Sequence, residues 1–168
     1  MSPSRHKHTG AALIVCLMLL LIMTLIGVSA ITSSTMQEKM AGNVLNKHLS
    51  FQAAETALRT GETVAAGLAA DAVFNGTGGL YPRTNVDDVD YPVWENAANW
   101  VDVASDPALA QQPQYIIENF GIAPRDANCM LEVPLKAGCL LPVYRVSAQG
   151  WGLNTNAVSL IQTTYKQL

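Results

Sequence analysis

The sequence predicts an α+β fold: a long N-terminal helix, membrane-spanning in its first half, packed on a small antiparallel β-sheet head. Three observations carry this expectation. Residues Ala11 to Ile31, AALIVCLMLLLIMTLIGVSAI, run for 21 positions without a charge. A helical rhythm continues beyond them, and no proline stands between Ser4 and Pro82. The C-terminal part then carries β-prone runs separated by Gly, Asn and Pro.

The apolar run comes first. At about 1.5 Å of rise per residue it spans roughly 31 Å, enough to cross the hydrocarbon core of a bilayer. Arg5 and Lys7, with His6 and His8, precede it. A Lys and Arg excess on that side predicts a cytoplasmic N-terminus and a head carried across the membrane. A secretory signal cut after Val28-Ser29-Ala30 is the competing expectation. Against it, the apolar run exceeds the roughly 7–15 residues of such signals, and helix follows where a loop is expected.

The continuation is amphipathic. Met36, Met40, Val44, Phe51, Ala54, Leu58, Ala65 and Leu68 fall within a wedge of about 120°, with Glu38, Gln52, Thr56, Arg59 and Thr63 outside it. Gly42 and Gly61 cost about 1 kcal/mol each relative to Ala without ending the helix. The reading is one helix from about Ala11 to about Ala70, nearly 90 Å long at about 1.5 Å per residue. Its narrow stripe asks for one partner surface, such as a sheet. Its first half is apolar all round and asks for lipid or a ring of helices. The chain supplies no second long helix, so packing there is intermolecular.

Beyond residue 70 the character changes. Asn75-Gly76-Thr77-Gly78-Gly79 is a turn cluster, followed by Pro82 and an acidic stretch containing Asn85, Asp87, Asp88 and Asp90. That stretch reads as a solvated loop. Calcium ligation is the alternative, since hard cations take clustered carboxylates, but the spacing, central Gly and closing Glu of an EF-hand are missing. Residues 94–111 read as partly helical, with Trp94 and Trp100 as packing anchors. Strands are expected at Gln114–Glu118, Val143–Gln149 and Ala157–Tyr165, the last two joined by the linker Gly150–Asn156. In the middle strand Tyr144, Val146 and Ala148 share one face, and Val143, Arg145, Ser147 and Gln149 the other.

Composition narrows the function. From Asp71 onward ten acidic residues face five Lys plus Arg, which argues against a nucleic-acid surface. Cys16 lies inside the apolar run, where a thiol is a small apolar group. Cys129 and Cys139 form a close pair in the exported region and read as a disulfide. A zinc site is the alternative, without a CxxC or nearby His in support. His48 has no acid or nucleophile beside it in sequence, and no triad order, phosphate loop or HExxH motif can be assembled. No enzyme and no cofactor is expected.

The short basic leader ending in Gly10, with Ala11-Ala12-Leu13-Ile14-Val15 opening the helix, resembles the type III signal of type IV pilins and pseudopilins. The resemblance implies a leader of residues 1–10, a membrane and filament-core helix over 11–31, its amphipathic continuation over 32–70, and a periplasmic α+β head over 71–168. It also implies cleavage between Gly10 and Ala11 by a prepilin peptidase, which N-methylates Ala11. Met36-Gln-Glu-Lys-Met-Ala-Gly-Asn43 and Phe51-Gln-Ala-Ala-Glu-Thr-Ala-Leu58 narrow the likeness to PilX-type minor pilins. Pro113-Gln-Tyr-Ile-Ile-Glu118 and Tyr144-Arg-Val-Ser-Ala-Gln-Gly150 resemble that family's C-terminal region. Residues 71–112 carry no likeness.

Most pilins have a glutamate at the fifth mature position, where this chain has Val15. A carboxylate in hydrocarbon is costly unless paired, and its partner in pilins is a neighbour's N-terminal amine. The resemblance therefore implies a subunit at or near the filament tip, helping to start type IV pilus assembly. Its implied partners are other minor pilins, the major pilin, the inner-membrane assembly platform, the prepilin peptidase and a large tip adhesin. Twitching motility and adhesion follow from the resemblance alone. A minor pseudopilin of type II secretion and a signal-anchored periplasmic binding protein that never polymerises are the alternatives.

Overall fold

The computed structural model describes residues 9–69, 71–84, 87, 92–131 and 133–167. The chain divides into two compact units, residues 1–43 and 44–168. Helix α1, Thr9–Ala66, supplies nearly all of the first unit and the opening of the second. It stops four residues short of the expected end, where Gly67 turns its N–H back to the carbonyls of Thr63 and Val64. Gly is the weakest non-proline helix former, and the last turn closes there.

In the first unit α1 presents its apolar side chains outward. Three of its threonines are satisfied internally: the hydroxyls of Thr24, Thr32 and Thr35 donate to the carbonyls of Leu21, Val28 and Ile31. Hydroxyls bonded in this way can sit in an apolar surrounding without an orphaned donor.

The second unit packs Val44–Ala66 of α1 on a five-stranded sheet. The strands are β1 (Leu80–Tyr81), β2 (Val101–Asp102), β3 (Gln114–Pro124), β4 (Leu140–Trp151) and β5 (Val158–Lys166). β3, β4 and β5 form the expected antiparallel meander; β3 and β4 are longer than their sequence signals, and β5 lies one residue further on than its own. The sheet as a whole is mixed, because β1 pairs parallel with β3 while β2 pairs antiparallel with it. These two-residue strands come from residues 71–112, where no period-2 run existed to announce them. The expected linker over Gly150–Asn156 begins later than read, since β4 continues through Gly150 and Trp151. The helical reading of 94–111 reduces to one turn, α2 (Val93–Asn96). Downstream the segment is drawn into β2.

The buried stripe of α1 follows the expected one only in its second half, where Ala54 and Ala65 are buried and Leu58 and Leu68 pack against the core. Met36, Met40, Val44 and Phe51 are exposed, whereas Ser50, Ala53, Ala54, Ala57, Gly61 and Ala65 are buried. Space explains the correction. A Cβ on Gly61 would stand 2.6 Å from Val146 Cγ1, and one on Gly152 would stand 2.1 Å from Asn46 Oδ1. The sheet approaches too closely for large side chains. The bulk in this core comes from the strands, as Tyr115, Ile117, Tyr144 and Val146 pack over Ala57 and Ala65. Tyr144, Val146 and Ala148, which the alternation puts on one face, are on the buried inner face. Toward the N-terminal end of this contact, Ser50 Oγ and Ser159 Oγ lie 2.7 Å apart, and Leu153 N–H donates to Asn46 Oδ1 at 2.6 Å.

Candidate functional site

Gly10 and Ala11 lie in the opening turns of α1, directly before the apolar surface. From Leu13 to Ile31 the large apolar side chains are between 51% and 73% exposed, and Val15 is among them at 56%. A fully buried Leu or Ile is worth about 1.5–3 kcal/mol relative to an exposed one, so this surface is driven strongly out of water. The most apolar 18-residue window has a mean hydropathy of 3.0 and none of it is buried. By length and composition α1 fits a single-pass membrane anchor. Between Ala11 and Gln37 there is no carboxylate, the first being Glu38. Cys16 is exposed on the same surface and is not disulfide-bonded.

The second sequence-predicted site is the cysteine pair. Cys129 and Cys139 are joined, with Cα atoms 5.5 Å apart. The bridge closes the connection between β3 and β4. Its base is held by Arg125 N–H donating to Cys139 O at 2.7 Å and by Lys166 Nζ donating to the carbonyls of Pro124 and Arg125. Asp126 Oδ1 accepts from Cys129 N–H at 2.9 Å. The bridge and these bonds fix a loop whose Leu131 and Val133 are 80% and 97% exposed.

Sequence reading missed a third feature, on the outer face of the sheet. Glu118 of β3 is buried, and Arg145 of β4 stands opposite it in the register. Arg145 Nε donates to Glu118 Oε2 at 2.9 Å, and its Nη2 donates to the same oxygen. The Arg145 guanidinium carbon is 5.3 Å from the Trp94 ring centroid and 5.2 Å from that of Phe120. Thr84 donates weakly to Glu118 Oε1 through its N–H and hydroxyl, at 3.5 and 3.4 Å. The pair therefore ties the connection across residues 82–100 to the sheet. The alternation puts Arg145 on the face opposite Tyr144, Val146 and Ala148, but Glu118 carries no sequence signal beyond that of a strand residue. Their opposition depends on a register that no local pattern states.

Burial pushes the Tyr115 and Tyr144 hydroxyls above their ordinary value. His48 is exposed. Of the acidic stretch, Asp88 and Asp90 lie outside the described residues and Asp87 is exposed. Among the described residues no three His, Cys, Asp or Glu converge as metal ligands.

Residues 9–59 match the PilX N-terminal family, and residues 51–167 match the family described as type IV pilus assembly protein PilX C-term, a match that runs through residues 71–112, where the sequence alone showed no likeness. Neither the curated proteins nor the solved structures gave a match. The two family matches meet on α1 and together span nearly all of the chain, which places it as a member of the PilX family of type IV pilus assembly proteins.

Proposed function

We propose that this chain is a minor pilin, cut between Gly10 and Ala11 and N-methylated at Ala11, that primes pilus assembly and resides in the tip complex. The single observation that carries the reading is the apolar surface opening with Ala11, exposed throughout and free of carboxylate up to Glu38. Such a helix is held first by lipid and later by the helices of neighbouring subunits. The exchange is close to neutral because both surroundings are apolar.

Val15 supports the tip placement. A shaft subunit with a carboxylate at this depth is stabilised by pairing with a neighbour's amine, and a subunit without one has no such demand. In this reading the N-terminus stays cytoplasmic and the head lies in the periplasm until incorporation. The family match to pilus assembly favours a pilus over the secretion pseudopilus. Other minor pilins, the major pilin, the assembly platform and a tip adhesin are the partners it implies.

N-terminal mass spectrometry of the mature protein tests the processing. A start at N-methylated Ala11 is expected, whereas Met1 would mean a simple anchor and Ile31 a secreted protein. Placement is tested by labelling the head on sheared pili. Label confined to one end per filament is expected, and label along the shaft of the unaltered protein refutes the tip role. In the Val15→Glu variant the label is expected to spread along the shaft.

A further inference from the structure

We propose that the free edge of β5 accepts an extended segment of a partner protein as an added strand of the sheet. The observation is the state of that edge. The sheet runs β1-β3-β4-β5, and β1 and β2 occupy the far side of β3. No described residue forms a strand beyond β5. β5 runs nine residues with an unbroken register against β4 from Trp151↔Val158 to Val143↔Lys166. It contains no proline, no bulge and no charge before Lys166. Soluble proteins blunt exposed edges with such devices, and a long flat edge lacking them is a template for pairing.

The bonding direction along β5 follows from its two ends. Gly152 N–H donates to Ala157 O, and Gln167 N–H donates to Pro142 O. Both contacts join directly opposed residues in the register of this pair, so both are hydrogen-bonded positions of the antiparallel ladder. Such positions recur at every second residue, so Ser159, Ile161, Thr163 and Tyr165 bond to β4. Val158, Leu160, Gln162, Thr164 and Lys166 therefore direct their N–H and C=O groups to the open edge. Lys47 Nζ already donates to the Val158 carbonyl, as this phase requires. The remaining row, from Leu160 to Lys166, is one that an extended backbone satisfies.

The ends of the edge select the occupant. Lys47 stands at the Val158 end and Lys166 at the other. A second copy paired antiparallel about Gln162 would set the Lys47 end of each chain against Lys166 of the other, and like charges across strands are destabilising. A partner segment uncharged in its centre, apolar opposite Leu160 and acidic toward its ends meets the same edge favourably. The strand's source among pilus subunits rests on the proposed function; the edge geometry does not.

The test uses the full-length protein in piliated cells, with p-benzoylphenylalanine at position 160 as the photocrosslinking probe. Thr164→Pro removes one outward N–H and leaves the β4 ladder intact, and Thr164→Ala is its control. The expected result is a crosslink to a different protein, mapped to an extended segment of the described charge pattern. It should fall at least tenfold in Thr164→Pro and persist in Thr164→Ala, with the Cys129–Cys139 bridge and protease resistance of the head retained. Gln162→Pro is the second variant should Thr164→Pro fail to fold. A crosslink indifferent to the prolines, a crosslink to a second copy, no crosslink, or unfolding of both variants overturns the proposal. Failure of the pilus reading shows separately, as normal pilus numbers in a strain lacking the chain.

Discussion

Gly150 of β4 and Ala54 of α1 meet backbone to backbone: a Cβ on Gly150 would lie 2.2 Å from the Ala54 nitrogen and 2.6 Å from the Ser50 carbonyl oxygen. No side chain can yield there, because the obstructing atoms belong to the helix itself. Gly150→Ala is expected to destabilise the head by about 3 kcal/mol, the upper range for overpacking. Thermal unfolding of the full chain in detergent checks this. A change below about 1 kcal/mol would mean that the helix can retreat from the strand.

The Glu118–Arg145 pair makes a second prediction. Truncating one partner of a buried ion pair strands the other charge, which costs about 3–5 kcal/mol. Arg145→Met should show a loss of that order, and Glu118→Met with Arg145→Met together should lose less than Arg145→Met alone. Limited proteolysis should cut first within residues 82–100, since Thr84 and Trp94 both depend on the pair.

The disulfide makes a third. It closes a loop with nine residues between Cys129 and Cys139. Chain entropy assigns such a closure about 2.5–3 kcal/mol. Reduction, or the Cys129→Ser and Cys139→Ser pair, should lower the denaturation midpoint accordingly. Hydrogen exchange should rise first around residues 125–140, where β3 and β4 run into the bridged loop.

Alkaline pH makes a fourth. The folded Tyr115 and Tyr144 hydroxyls titrate above the unfolded value of 10.0 because burial penalises phenolate. Their contribution is fully present below pH 10 and is lost as pH rises through the higher folded values. Stability of the head should fall over that window. The Tyr115→Phe and Tyr144→Phe double variant should show a shallower fall when unfolding is followed against pH.

Much of this molecule was legible in local pattern. An uncharged run of 21 residues is long enough to announce a spanning helix wherever it packs. The period-2 alternation of Val143–Gln149 assigned both faces of β4, because strand side chains must alternate. The close cysteine pair announced its bridge. These properties depend on neighbours in sequence, and a single chain displays them.

The seam between α1 and the sheet was legible only in part, and the outer-face ion pair not at all. Hydrophobic periodicity found Ala54, Leu58, Ala65 and Leu68, but it ranks residues by bulk, so it also took in Met36, Met40, Val44 and Phe51 and passed over Ser50, Ala53, Ala57 and Gly61, where the sheet comes close. The meeting of Glu118 with Arg145, 27 positions apart, follows from the β3–β4 register and its bulge between Asn119 and Gly121. The open edge of β5 likewise depends on strand order. Periodicity along one chain establishes which faces seek burial. The distance at which two elements pack and the register in which strands pair are properties of the assembled head.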